Sequence, residues 1–235
     1  MSILGIVVLL VVCGAGTASP SPEVTAELVC RTQNAIRWKE PAWSWLKCKD
    51  ISLDFQVAGI GYGLDPALLF AIAVTESDLR EKAMRDDGRG KDCGLMAVRC
   101  IPDEHGRCKN WPVRGLTPAK LLRPSTNIDS GAKILALMHK GNLRGYNGGR
   151  SGYHKQHEQK NHTSYPQKIG AVLAALSGRV TKVHGYRMKT LIGKVANANK
   201  EAAAVEEDRT MGAGVDASAR LTAQAVRVHA RSAEH

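Results

Sequence analysis

The chain has 235 residues, which is enough for one domain with a sizeable core plus extensions. Its formal net charge of +11 favours a polyanionic partner: nucleic acid, an anionic membrane or an acidic wall polysaccharide. Zinc-finger spacing and interleaved aromatic and basic residues are both missing from the sequence, and this excludes the common nucleic-acid modules.

The N-terminus resembles a secretory leader. Residues 3–12 are continuously apolar and are followed by the small residues Gly14 to Ala18. This pattern predicts a signal peptide over residues 1–18 and therefore an exported, periplasmic or envelope-associated protein. Met1 and Ser2 supply no positive charge, so a membrane anchor, a lipid on Cys13 and a cytosolic chain stay open as alternatives.

Five cysteines follow the leader: Cys30, Cys48, Cys93, Cys100 and Cys108. In an oxidising compartment they are expected to form disulfides. Cys30 and Cys48 flank one helical segment and are predicted to pair, whereas any two of the other three could form a second bridge. Zinc binding is the alternative, but no C-x-x-C pair supports it.

The predicted elements are helical. Asp65 is a favourable N-cap and Pro66 suits the first helical position, so the clearest helix starts there. The other segments, in chain order, are a helical region over 23–62 with a turn at Pro41, a loop over 84–115, a short helix from Thr117 that ends before Pro124, a helix over 127–140, a polar region over 141–164, and a helix over 166–177.

The domain organisation follows from these elements. We expect a leader over 1–18, a helical extension over 19–49, a main helical domain over 50–178 and a basic tail over 179–235. Residues 185–235 are rich in Ala, Lys and Arg and are predicted to be a flexible tail or a weak helix.

Glu76 is the most informative single residue. Leu69, Ile72, Ala73 and Leu79 share its face of the helix that begins at Pro66, and all four are apolar. Burial on such a face raises the pKa of a carboxyl group and keeps it protonated, as a general acid requires. The alternative is a structural Glu at a helix end that pairs with one of the many basic residues.

Four short motifs follow one another around this residue. They are Thr75-Glu76-Ser77, Asp92-Cys93-Gly94-Leu95-Met96, Asn127-Ile128-Asp129-Ser130-Gly131-Ala132 and Tyr146-Asn147-Gly148-Gly149. In this order and spacing they resemble the lytic transglycosylase domain of the goose-type-lysozyme-like kind, over about residues 50–177. The resemblance implies a mainly α, lysozyme-like domain; with the predicted disulfide and tail, we expect this domain to have a disulfide-stapled N-terminal part and a flexible C-terminal tail.

The resemblance also implies roles for residues. Glu76 would be the sole catalytic acid and base, and Ser77 would orient it or the sugar. The predicted substrate-binding residues are Ser77, Gly94, Leu95, Met96, Tyr146 and Asn147. The sequence departs from the family pattern at Ala97, where the family carries Gln, and at Gly148-Gly149, where the family carries Ala-Gly.

The implied reaction needs one carboxylate, whereas most glycosidases need two. The candidates for a second carboxylate are Asp78, Glu81, Asp86, Asp87 and Asp92, and the sequence anchors none of them beside Glu76. The resemblance implies cleavage of peptidoglycan to 1,6-anhydro ends without water, metal or cofactor. A muramidase-type hydrolase and a non-catalytic wall-binding or assembly protein remain alternatives.

Other features suggest little further chemistry. His154, His157, Glu158 and His162 lie in a polar, Gly- and Lys-containing segment without the metalloprotease order, so a solvated loop is favoured over a metal site. We expect a monomer whose partner is peptidoglycan, with local wall opening at a secretion machine or pilus as a further hypothesis, and no nucleic-acid partner.

Overall fold

Helices make up most of the part of the chain that the computed structural model describes, which is residues 22–37, 41–143, 145–146, 164–181 and 187–204. This confirms the mainly helical class. The helices are α1 (Ala26–Ile36), α2 (Trp45–Tyr62), α3 (Pro66–Ser77), α4 (Pro118–Leu121), α5 (Pro124–Lys133), a π-helical turn (Ile134–Met138), α6 (Tyr165–Leu176) and a C-terminal helix over residues 187–204. None of them is long and apolar enough to cross a membrane.

The N-terminal part is a pair of helices joined by a disulfide. The predicted bridge between Cys30 of α1 and Cys48 of α2 is confirmed. The Val24 carbonyl accepts hydrogen bonds from Ser52 Oγ at 2.7 Å and Gln56 Nε2 at 2.8 Å, which fixes the chain before α1 against α2. The predicted leader over 1–18, with Cys13, lies outside the described residues.

Helix α3 is the central helix, and its start was predicted correctly. Asp65 Oδ1 accepts a hydrogen bond from Ala67 N at 2.8 Å, and Pro66 occupies the first turn. Every residue from Leu69 to Val74 is fully buried, so all sides of the helix are covered in this segment. Helices α2, α5 and α6 pack around it, and Phe70 meets Phe55 of α2 edge to face.

The prediction of a loop over residues 84–115 is wrong for nine of these residues. They form an antiparallel sheet of three short strands in the order β1-β2-β3: Met84–Asp86, Lys91–Cys93 and Val98–Cys100. Each strand has three residues and β1 is fully exposed, so no alternation of apolar and polar residues marks them. A second disulfide joins Cys100 to Cys108, and Cys93 remains a buried thiol.

The C-terminal helix resolves one alternative for the tail. Residues 187–204 are helical and bury Leu191, Ile192, Val195 and Ala196. The Asn199 side chain donates a hydrogen bond to the Ala175 carbonyl of α6 at 3.4 Å, so this helix packs beside α6. Two adjacent pairs of apolar residues make a narrow stripe, which explains why the sequence pattern was weak. Residues 205–235 lie outside the described part of the chain.

Candidate active site

Glu76 lies in the last turn of α3 and is the partly exposed end of an otherwise buried face. Leu69, Ile72 and Ala73 on that face are fully buried. Burial is the largest influence on the Glu76 carboxyl and raises its pKa above the ordinary value. Burial therefore favours the protonated form of Glu76, while the side chain remains partly exposed; a general acid needs both a favoured proton and access to its substrate.

Two tyrosines face this carboxyl group. The Tyr165 side chain, in the first turn of α6, acts on Glu76 and lowers the pKa of its carboxyl group, and the buried Tyr165 hydroxyl has no hydrogen-bond partner among the described residues. The Tyr146 hydroxyl donates to the Met96 carbonyl at 2.9 Å. Burial and the nearby Glu76 raise the pKa of both hydroxyl groups, so both stay protonated as donors.

Three charged side chains set the field at Glu76. Asp92 on β2 raises the pKa of the Glu76 carboxyl, while Lys168 on α6 and Arg187 at the start of the C-terminal helix lower it. The pKa of Glu76 is raised overall, so the effect of burial outweighs that of the two positive charges. Lys168 and Arg187 would stabilise the ionised form of Glu76 after a proton has been donated.

Asn127 of α5 holds the Gly94–Met96 segment beside α3. Its side-chain oxygen accepts a hydrogen bond from Met96 N at 2.7 Å. Its amide nitrogen donates to the carbonyls of Cys93 at 2.7 Å and Leu121 at 2.8 Å. Gly94 has a φ of +72°, and a Cβ atom there would lie 2.6 Å from Asn127 Cγ. Glycine is therefore required both by the backbone and by the close approach of Asn127.

The motifs that contain Gly94 and Asn127 thus contact each other directly, and the comparison with known families agrees with the resemblance that the motifs carry. Residues 55–169 match the sequence model of a family described as Transglycosylase SLT domain. The chain carries a lytic transglycosylase-type domain. A search of curated proteins found no match. Enzymes with this domain act on peptidoglycan. Membership therefore indicates an activity on peptidoglycan and an extracellular or periplasmic location.

The structure places the predicted site residues of the transglycosylase domain at different depths. Glu76 and Tyr146 are partly exposed, whereas Leu95 and Met96 are fully buried. Leu95 and Met96 lie below the surface, and the Met96 carbonyl accepts the hydrogen bond of the Tyr146 hydroxyl. Direct contact of these residues with sugar stays a prediction. Asn147 lies outside the described residues.

The Ser77 side chain forms hydrogen bonds with the backbone around the end of α3. Its side chain is buried, its hydroxyl donates to the Ala73 carbonyl at 3.1 Å, and the same oxygen accepts a hydrogen bond from Arg80 N at 3.2 Å. Both contacts are with the backbone, and they secure the end of α3. The role of Ser77 in orienting Glu76 or the sugar stays a prediction.

Among the five candidates for a second carboxylate, Asp92 is the one that acts on the pKa of Glu76. Arg99 Nη1 of β3 donates to Asp92 Oδ1 at 3.1 Å, and Arg99 Nη2 donates to Asp87 Oδ1 at 2.7 Å. Asp92 is therefore fixed on the sheet while it acts electrostatically on Glu76. The other candidates are held elsewhere by ion pairs: Asp78 with Arg187, Glu81 with Lys47, and Asp86 with Lys91.

Sequence reasoning missed three residues of the candidate site. Tyr165 and Lys168 lie in a helix that was recognised only by its apolar stripe, and Arg187 lies beyond the matched region. Asn127 was noticed as part of a motif but was given no role. Among the described residues, no cluster of three or more His, Cys, Asp or Glu could hold a metal ion. The histidine-containing segment over 154–162, for which a solvated loop was predicted, lies outside the described residues.

Proposed function

We propose that this domain cleaves the β-1,4 bond between N-acetylmuramic acid and N-acetylglucosamine without water and leaves 1,6-anhydro ends. Glu76 is the proposed acid and base. The observation that carries this proposal is the position of Glu76: a carboxyl with a raised pKa at the open end of a buried helix, within the matched transglycosylase region.

The first proposed step is protonation of the leaving oxygen. Protonated Glu76 donates its proton to the glycosidic oxygen, the bond to the muramic C1 breaks, and the N-acetylglucosamine residue leaves with a free hydroxyl. The positive charge that develops at C1 is relieved by the acetamide of the same muramic residue. Lys168, Arg187 and the Tyr165 hydroxyl stabilise the resulting Glu76 carboxylate, since each of them lowers its pKa.

The second proposed step closes the anhydro ring. The Glu76 carboxylate takes the proton of the muramic C6 hydroxyl, and the C6 oxygen forms a bond to C1 as the acetamide is released. Glu76 is then protonated again, so one residue serves both steps and no water is consumed. The Tyr146 side chain, held by the Met96 carbonyl, borders the same space and keeps the Gly94–Met96 segment in place during both steps.

One observation favours a second candidate, a muramidase-type hydrolase. Asp92 is a fixed carboxylate that acts on Glu76 electrostatically, and paired carboxyl groups are what hydrolytic glycosidases use. In that reaction Asp92 would activate water or stabilise the sugar cation. The transglycosylase reaction is preferred because the Asp92 carboxylate is already held in an ion pair with Arg99, at 3.1 Å between Oδ1 and Nη1.

Digestion of purified peptidoglycan by the chain without residues 1–18 tests this function. We expect products one water lighter than hydrolysis products by mass spectrometry, and none from Glu76→Gln. Ordinary reducing ends that disappear in Asp92→Asn would support the hydrolase instead. A folded wild-type protein that releases no product would support the non-catalytic wall-binding alternative.

We also propose that the protein is exported, monomeric and active where a secretion machine or pilus crosses the wall. The apolar residues 3–12 and the two disulfides support export. Mass measurement of the protein isolated from the cell envelope tests whether it is exported and cleaved. A mature mass that begins at Ser19 is expected, and a full-length chain in the cytoplasm would contradict it.

A further inference from the structure

The C-terminal helix reaches the candidate site although it lies beyond the matched region, residues 55–169. Its first residue, Arg187, donates a hydrogen bond from Nη2 to Asp78 Oδ2 at 2.7 Å. Asp78 is separated from Arg187 by 109 positions along the chain and follows Glu76 by two. The contact therefore joins the start of the chain's last described helix to the end of the helix that carries the candidate acid.

The turn that Asp78 occupies has an unusual backbone. Asp78 has a φ of +52° and Leu79 a φ of +58°, so two successive residues with side chains adopt the left-handed conformation. L-residues avoid this region because Cβ approaches the carbonyl oxygen, so contacts must hold the turn. Leu79 is buried, and Arg80 Nε donates to the Ser77 carbonyl at 2.9 Å. At Asp78 the backbone N donates to the Val74 carbonyl at 3.2 Å, Arg37 interacts electrostatically with the carboxylate, and Arg187 forms an ion pair with it at 2.7 Å.

The C-terminal helix is anchored well enough to hold this contact. Leu191, Ile192, Val195 and Ala196 are buried, so the helix that begins at Arg187 cannot shift without exposing them. The Arg187 side chain itself is 67% exposed and that of Asp78 28% exposed. An ion pair this exposed contributes little to global stability. Its influence should therefore appear in the geometry of the site more than in the melting temperature.

Besides its ion pair with Asp78, the Arg187 side chain acts electrostatically on the Glu76 carboxyl group. The groups that face Glu76 are Tyr165, Tyr146, Asp92, Lys168 and Arg187. Among them, Arg187 opposes the effect of burial and lowers the pKa of the carboxyl. Loss of its charge would raise that pKa further. The protonated acid would then persist to higher pH.

We propose that Arg187 is a positioning residue for the reaction: its ion pair with Asp78 fixes the turn after α3 and thereby the direction of Glu76. This inference rests on the proposed function. It makes the C-terminal helix part of the catalytic unit, although that helix lies outside the family's matched region.

Steady-state kinetics over a range of pH test the proposal, with wild type, Arg187→Ala and Arg187→Lys in the chain without residues 1–18. Lys189→Ala is the matched control, because it removes one exposed positive charge from the same helix. We expect Arg187→Ala to lower kcat by roughly 10- to 100-fold, as misplaced catalytic groups do. The basic limb of its profile should move to higher pH. Arg187→Lys should recover part of kcat, and Lys189→Ala should match wild type.

Asp78→Asn provides a second variant in case Arg187→Ala folds poorly. It keeps the size of the side chain and removes the charge that Arg187 binds, and we expect it to lower kcat as well. Unchanged kcat in both variants would overturn the proposal. So would a rise in KM alone with the basic limb in place, because that result would make Arg187 a substrate contact.

Failure of the proposed function is recognised separately. A wild-type chain that releases no anhydro product overturns that function, and this inference with it. Anhydro product from wild type together with unchanged kcat in both variants overturns the role of Arg187 alone.

Discussion

Gly94→Ala tests how the Gly94–Met96 segment is held. The new Cβ would lie 2.6 Å from Asn127 Cγ and 2.7 Å from the Leu121 carbonyl oxygen, and the φ of +72° would be occupied by a residue with a side chain. The backbone conformation costs about 1–2 kcal/mol for a non-glycine residue. Displacing Asn127 breaks buried hydrogen bonds, and buried polar groups left without partners cost about 1–3 kcal/mol.

The expected loss for Gly94→Ala is therefore about 2–5 kcal/mol in the free energy of unfolding. At about 2–4 °C per kcal/mol, Tm should fall by about 10 °C. Urea unfolding followed by circular dichroism measures the first quantity and a thermal scan the second. Wall cleavage should fall too, since Tyr146 depends on the Met96 carbonyl for its place beside Glu76.

Gly106→Ala is the matched control for this variant. Gly106 has a φ of +71°, and nothing lies within 4 Å of the position that a Cβ atom would take there. It should lose only the backbone contribution of about 1–2 kcal/mol. If Gly94→Ala were no less stable than Gly106→Ala, the close approach of Asn127 would have no energetic weight, and the account of this segment would be refuted.

Two further predictions concern stability. Burial raises the pKa of Glu76, so the wild type should lose stability as pH rises above the ordinary carboxyl value of 4.5, until the folded-state pKa is passed. The Tm of Glu76→Gln relative to wild type should therefore increase over that interval, whereas a difference in Tm that does not change with pH would contradict this. Replacing Cys30 and Cys48 by Ala should cost about 3 kcal/mol, because their disulfide closes a loop of 18 residues; unchanged urea unfolding would be inconsistent with this estimate of loop closure.

Local signals in the sequence predicted the helix that matters most. Asp65 and Pro66 mark the start of α3 through their own chemistry, and the apolar face around Glu76 is visible from spacing within one helix. The disulfide between Cys30 and Cys48 was predicted because both residues flank one helical segment. These inferences needed few residues and no knowledge of how distant elements pack.

Contacts between distant residues were not predictable in the same way. Asn127 binds Met96 from 31 positions away, and Arg187 meets Asp78 from 109 positions away. The sequence around Asn127 or Arg187 gives no signal of the distant partner, since Asn within a helix and Arg at a helix start are both common on protein surfaces. The strands of the small sheet were missed for a related reason, because pairing across the sheet defines them more than their own composition does.

Digestion of peptidoglycan in water enriched with heavy oxygen tests the central claim most directly. If Glu76 passes one proton to the leaving oxygen and takes the next from the muramic C6 hydroxyl, no solvent oxygen enters the new muramic end. The account predicts anhydro products without the heavy label, formed by wild type and absent from Glu76→Gln. Heavy oxygen at the muramic C1 position of the first-formed products would contradict it, because water would then be the nucleophile.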